Sequence, residues 1–464
     1  MISIFPKQIA NKGIFIYIIS LSIVSLCFFS HAMGIEYIVL GITWVSGFFT
    51  FTASNTKKWA KLSSIRFCKT IFWTAFGLRI AWIIFSYFFF QAKYGQPFEL
   101  GAADSLGYHE EAKWISQAGW DMAFNYWAHS GGVSDTGYPF WLTCIYTIFG
   151  PSIIIARFFK AILSSFTCVL IYKLARRNIG ELPGRMAAIF SVFMPNLIIY
   201  CGLHVKETEM IFCILMFLER ADYLIRIRKY NFWNIIVPAL FAFSLFFFRT
   251  VLGVVAIMAF FAGLLFTSSR IVGKAKRILL ITFWAFVAAT FIGGTISMEI
   301  NKYWTMRNSN EIAKREHQAA GGATIAKYAT GTVLAPMIFI LPFSTLVDSN
   351  QDTQMLLHGG NYIRNFMGVF VIIALFHSIF KEKNWRNFSL LGAFTIGYLG
   401  IISVSGYGNA ERFLLPGLPC LLIITAYGIS ILNASYYKLV KYWYIIVVLM
   451  EIAWAVLKIK SHGL

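Results

Sequence analysis

From residue 13 to residue 457 the chain is a succession of apolar runs, each about twenty residues long, parted by basic or acidic connections, two of them long. A helix needs roughly 20 apolar residues to cross a bilayer, so these runs dictate most of what the chain can become. Backbone polar groups in lipid must be satisfied within the segment, and no ten-residue alternating pattern points to a barrel. The expectation is an all-α polytopic membrane protein. Predicted spans are 13–29, 35–53, 71–90, 152–175, 184–201, 205–224, 232–248, 250–267, 277–297, 362–380, 388–404, 413–432 and 439–457, about 13 within a range of 12–14. At 58% hydrophobic and 13% charged residues, no soluble domain of any size remains. Ser30-His31-Ala32 faintly resembles a signal-peptidase site, but a second span follows at once, so the first run reads as an uncleaved helix.

The net charge of +20 could indicate nucleic acid, but its distribution excludes that reading. Lys57, Lys58, Lys61, Arg66 and Lys69 flank predicted spans, as do Arg176, Arg177, Arg226, Arg228, Lys229, Lys274, Lys276 and Arg277. Basic residues concentrated at span ends mark cytoplasmic loops. With a cytoplasmic N-terminus they all fall inside if two long segments, 91–151 and 298–361, stay outside. Within the first, 137–150 is too short to cross comfortably and reads as an interfacial helix anchored by Tyr138, Trp141 and Tyr146. In the second, 332–347 contains Pro336 and Pro342 and reads as re-entrant or interfacial. The seven cysteines lie in or beside apolar segments without metal or disulfide spacing and read as small hydrophobes. No internal repeat or pair of matching broken helices points to a transporter.

Against this basic background, segment 91–137 carries six acids and two lysines. Asp104, Tyr108 and Glu111 are spaced i, i+4, i+7, one face of a short helix. Asp104 follows Gly101-Ala102-Ala103, small residues that let backbone and ligand approach closely. Glu99, Glu110, Asp121 and Asp135 read as a solvated acidic loop, and His109 as a surface or hydrogen-bonding histidine. Lys206 and Glu207 open a predicted span, either as a structural ion pair or with Lys206 meeting an anionic ligand at the positive end of the helix. Arg249 and Arg412 sit at outer span ends, where arginine either snorkels to headgroups or binds a ligand. Arg79, Arg157 and Lys160 lie inside predicted spans, where charge is costly and usually faces a partner or a polar cavity.

Taken in order, these features resemble the GT-C class of membrane glycosyltransferases, most closely the bacterial branch of protein mannosyltransferases and aminoarabinose transferases. The resemblance rests on Asp104-x-x-x-Tyr108 after a span, then GYPFWLTCIYTIFG followed by Arg157, and an IYKLARR exit. LHVKETEMIF, the Arg249 hairpin and ERFLLPGLP complete it, over roughly 70–450. It implies residues 1–69 as an extra helix pair, 70–297 as the catalytic module with external loop 91–151, 298–361 as a second external loop, and 362–464 as C-terminal helices. It further implies sugar transfer from a polyprenyl-phosphate donor to a glycan, lipid or protein acceptor outside the plasma (inner) membrane, in cell-envelope polysaccharide biosynthesis. Asp104 then corresponds to the catalytic carboxylate, with Tyr108, Glu111, Tyr138, Arg157, Lys206, Arg249 and Arg412 binding substrate. The chain departs from the class in its N-terminal pair and in Ser105, where some members carry a second acid. Metal use therefore stays open, with a divalent cation compatible.

The residues suit that chemistry. Glycosyl transfer passes through an oxocarbenium-like state, a carboxylate can accept the acceptor's proton, and arginine forks fit a leaving phosphate. No nucleotide cofactor is expected, because no G-x-G-x-x-G follows a strand and no Walker sequence occurs. Two rivals remain: a polysaccharide polymerase or ligase using the same kind of donor, and a transporter or flippase. The second is disfavoured because acids read as almost absent from the spans, Glu451 being the clear exception.

Overall fold

The computed structural model describes residues 4–100, 103–129, 133–227, 229, 231–267, 340, 343–349, 351–383, 385–404 and 411–461. Among them the regular elements are helices, and β-type pairing is limited to an isolated bridge between Ala32 and Val347. Three long helices come first: α1 (Lys7–Cys27), α2 (Ile35–Trp59) and α3 (Ser64–Tyr94). Three shorter ones follow: α4 (Ala103–Ala118), α5 (Trp120–His129) and α6 (Gly137–Phe149). Next are α7 (Ile153–Ile179), α8 (Glu181–Phe193), α9 (Pro195–Gly202), α10 (Glu207–Ile227), α11 (Phe232–Phe248) and α12 (Thr250–Thr267). After the undescribed stretch come α13 (Asp352–Phe376), continued by a π turn, and α14 (Ser389–Val404). The last two are α15 (Glu411–Ser430), broken by a 3-10 turn at Leu415–Gly417, and α16 (Ala434–Ser461).

Seven of these helices are long and apolar enough to cross a membrane, or eight if the bent pair α8–α9 is one span. The pair bends by 40° where Pro195 opens α9, because a proline cannot continue the preceding hydrogen-bond ladder. The expected span 277–297 and most of the second external loop lie outside the described residues.

One boundary differs from the sequence reading in a way that matters for the bundle. Helix α13 starts at Asp352, inside the segment expected to be external, and its polar residues His358, Asn361, Arg364 and Asn365 are buried. Hydropathy counts such residues against a span, yet here each finds a partner: His358 meets Tyr17 Oη at 2.7 Å, and Asn361 bonds Asn196 at 3.2 Å. The same contacts knit the N-terminal pair into the bundle. Tyr362 donates to the Gly13 carbonyl at 2.7 Å, and Gly41 on α2 leaves no room for a Cβ against His358. Small residues at such crossings let helix backbones approach closely.

The helix ends sort onto two faces. At one end, Arg185 Nη1 donates to the carbonyls of Trp59, Ala60 and Leu62, at 2.9, 3.1 and 2.7 Å. Arg177 there pairs with Glu219 at 2.8 Å and Asp222 at 2.7 Å, and Arg226 reaches Asp222 and the Asn387 carbonyl. These basic connections are the ones expected to be cytoplasmic. At the opposite end lie α4–α6, the α11–α12 junction and the start of α15.

Candidate functional site at the acidic end

The root of the acidic segment is held by one carboxylate. Asp352, 1% exposed, accepts from Tyr37 Oη, from Tyr94 Oη at 2.9 Å and from the Leu100 amide at 2.8 Å. Five residues past Leu100, in the first turn of α4, Ser105 donates to Glu99 at 2.8 Å. These bonds fix how α4 leaves α3, and Asp104 in its first turn forms an ion pair with Arg412.

Arg412 is one of three cations brought together there. Arg249 occupies the single extended residue between α11 and α12 (φ −164°, ψ 112°) and is buried, donating to Tyr398 Oη at 2.8 Å. Its Cζ lies 4.2 Å from the centroid of the Phe413 ring, and the Arg412 Cζ lies 5.4 Å from the same centroid. One aromatic ring thus serves two guanidiniums, an attraction worth about 0.5–1 kcal/mol each where water has access. Lys206 donates to the Phe248 carbonyl, next to Arg249, at 3.0 Å, and forms an ion pair with Asp135. Lys160 holds the Leu203–Lys206 turn from below, donating to the carbonyls of Leu203 (2.8 Å) and Val205.

Three cations, Lys206, Arg249 and Arg412, therefore face three carboxylates, Asp104, Asp135 and Glu207. Burial first, then the charge of Arg249, pulls the Lys206 ammonium down to about 7, with Glu207 opposing. Burial drives the Tyr108 phenol well above its usual value, and the carboxylates of Glu207 and Asp104 add to that. Tyr108 is therefore a neutral donor beside the charges.

Behind the cluster lies an aromatic layer. Tyr138 is fully buried, its ring 5.1 Å from Tyr108, 5.8 Å from Trp141 and 5.9 Å from His204. Tyr146 Oη bridges two imidazoles, 2.8 Å from His109 Nδ1 and 3.1 Å from His204 Nε2. Burial keeps both histidines below the ordinary histidine range. Arg157, fully buried, donates through Nη2 to the Pro97 carbonyl at 2.8 Å, while its Nε and Nη1 have no hydrogen-bond partner among the described residues.

Of the residues singled out in the sequence, Asp104, Tyr108, Lys206, Arg249 and Arg412 come together, with Tyr138 and Arg157 beneath. Glu111 does not join them. It accepts from Trp127 Nε1 at 3.3 Å, linking α4 to α5, and burial raises its pKa. Several expectations are corrected. Tyr138 and Tyr146 are not interfacial anchors, since their rings turn inward against α4 and His204, leaving Phe140, Ile148 and Phe149 exposed. Glu99 is buried rather than solvated, whereas His109 takes the hydrogen-bonding role of the two expected for it, buried against Tyr146. Asp135 is half exposed but ion-paired. The close partner of Lys206 is Asp135 rather than Glu207. Arg249 does not snorkel, because it is buried on Phe413 and Tyr398.

Nor are acids nearly absent from the apolar bundle: Glu207, Glu209, Glu219 and Asp222 of α10 are all buried. Glu209 sits 3.7 Å from Lys160, a pairing the sequence reading missed although LHVKETEMIF displays both acids. Arg79, by contrast, is a structural pin: it bonds Ser164 at 2.6 Å and reaches the carbonyls of Ala75, Ser191 and Val192. Among the described residues no three His, Cys, Asp or Glu side chains are grouped to hold a metal ion. No protein family matches the chain, and no curated protein is similar to it.

Proposed function

We propose that this protein is an inverting membrane glycosyltransferase that moves a sugar from a polyprenyl-phosphate donor to an acceptor at the acidic face, in cell-surface glycan assembly. The observation that carries the reading is the convergence of Lys206, Arg249 and Arg412 beside Asp104. In this proposal the protein crosses the plasma membrane about 13 times, with the acidic face outward. Arg412 releases Asp104 and turns to the donor phosphate. The Asp104 carboxylate then takes the proton of the acceptor hydroxyl as its oxygen bonds to the anomeric carbon. The bond from that carbon to the phosphate oxygen breaks, and the phosphate leaves with the electron pair, held by the three cations. Such charge-assisted hydrogen bonds are the strong ones, and a guanidinium fits phosphate oxygens two at a time.

A second reading, flipping or transport of a lipid-linked sugar, draws support from the buried charges Arg157, Lys160, Glu209, Arg364 and Glu451 in the helix bundle. Reconstituted protein supplied with a radiolabelled polyprenyl-phosphate sugar separates the two. Transferase activity releases free polyprenyl phosphate and depends on Asp104. Movement of intact donor across the bilayer without release of polyprenyl phosphate would refute it.

A further inference from the structure

Lys206 is 7% exposed, yet its ion-pair partner Asp135 has a half-exposed side chain. The carboxylate thus stands between the buried ammonium and the acidic face. Asp135 is held in an unusual backbone state, φ 71°, which non-glycine residues adopt rarely and aspartate and asparagine more readily than most. It belongs to the connection leading into α6, whereas Lys206 belongs to the bundle, so the pair latches the acidic segment to the bundle. The other latch is Asp104 on Arg412. With Asp135 in place the three cations are balanced by Asp104, Asp135 and Glu207. A singly charged phosphate entering beside them leaves the cluster over-balanced unless one internal carboxylate withdraws. Glu207 is 1% exposed on α10 and has no such freedom, whereas Asp135 is at the surface.

We propose that Lys206 is an anion subsite for a phosphate group, and that Asp135 occupies it in the empty protein as an internal competitor which the incoming phosphate displaces. This rests on the reading of the cluster as a phosphate site and adds how that site is kept closed. A carboxylate and a phosphate oxygen make the same demand on an ammonium, one charge-assisted hydrogen bond at short range. The empty site avoids a buried unpaired lysine, and anions too weak to displace Asp135 are refused.

The test uses full-length protein in nanodiscs at pH 6, with farnesyl phosphate and inorganic phosphate as separate probes. Asp135→Asn tolerates the same backbone conformation and removes only the charge. It should bind farnesyl phosphate about tenfold tighter than wild type, the factor one freed charge-assisted hydrogen bond supplies. Asp135→Gly, at ease with positive φ, should do the same, and adding Lys206→Gln to either should abolish the gain. A merely structural latch predicts the opposite, since loosening the acidic segment weakens binding. Unchanged or weaker binding by both Asp135 variants, with wild type still binding, overturns the proposal and leaves the transferase reading standing. Tighter binding of inorganic phosphate by the variants, with no preference for the prenyl compound, sustains the subsite and counts against a lipid donor. No binding of either probe by any form overturns both.

Discussion

At the scale of single residues, the cluster assigns different tasks to groups that look alike in the sequence. Asp104 is the carboxylate placed to accept a proton, so Asp104→Asn should reduce transfer by about 10²–10⁴-fold while the protein still assembles. Glu110 is exposed and only loosely paired with Lys113 at 3.8 Å, so Glu110→Gln should cost far less. Arg412→Ala should slow transfer or weaken donor binding by about 10–100-fold, and Arg412→Lys should recover only part, because an ammonium cannot reproduce a two-pronged guanidinium contact. Near-neutral behaviour of Arg412→Lys would instead make Arg412 a headgroup contact. Lys206 gives a pH signature. An ammonium whose pKa burial and Arg249 hold down at about 7 is charged below that pH and neutral above it. Phosphate affinity should therefore fall as pH rises through about 7, and Lys206→Gln should flatten that dependence. Asp104, Arg249 and Arg412 were legible in the sequence because an ionisable residue at a span end needs an explanation. Asp135 was not, since nothing in a Gly- and Ser-rich connection announces that its acid reaches a lysine 71 residues further along the chain.

At the scale of elements, the position of α4 depends on Asp352, which gathers donors from α2, α3 and the segment after α3. Asp352→Ala would strand those donors and should destabilise the protein by about 2–4 kcal/mol, with Asp352→Asn in between, read as a drop in thermal midpoint in detergent. An unchanged midpoint for Asp352→Ala would mean that α4 is held by packing alone. The helices themselves were largely readable: α2 and α3 contain their expected spans, and α7 follows its own from Ile153 and runs past its end to Ile179. What hydropathy obscured were the polar helices. The acids of α10 and the His358–Asn365 stretch of α13 are affordable inside the bundle only because Arg177, Lys160, Tyr17 and Asn196 meet them, and those partners come from distant parts of the chain.

At the scale of the whole molecule, the basic connections around Arg177, Arg185 and Arg226 lie at one end of the bundle and the cation cluster at the other. Single cysteines near Lys58, Arg177, Arg228, Lys276 and Lys383 should resist membrane-impermeant thiol reagents in intact cells, while cysteines at 310, at 408 and at the exposed position 110 should react. The arrangement of faces was foreshadowed by the basic residues, since their pattern is a sum over many positions. The packing of α4 and α6 over the cations was not, since it depends on inward-facing aromatics that read equally well as lipid anchors. The measurement that bears most directly on the central claim is a density map of the full-length protein in nanodiscs with a bound polyprenyl phosphate. The account predicts the phosphate within hydrogen-bonding distance of Lys206, Arg249 and Arg412, Asp104 facing its free oxygen, and Asp135 swung away. A phosphate bound at the basic end, or at the acidic end with none of these three cations touching it, would contradict it.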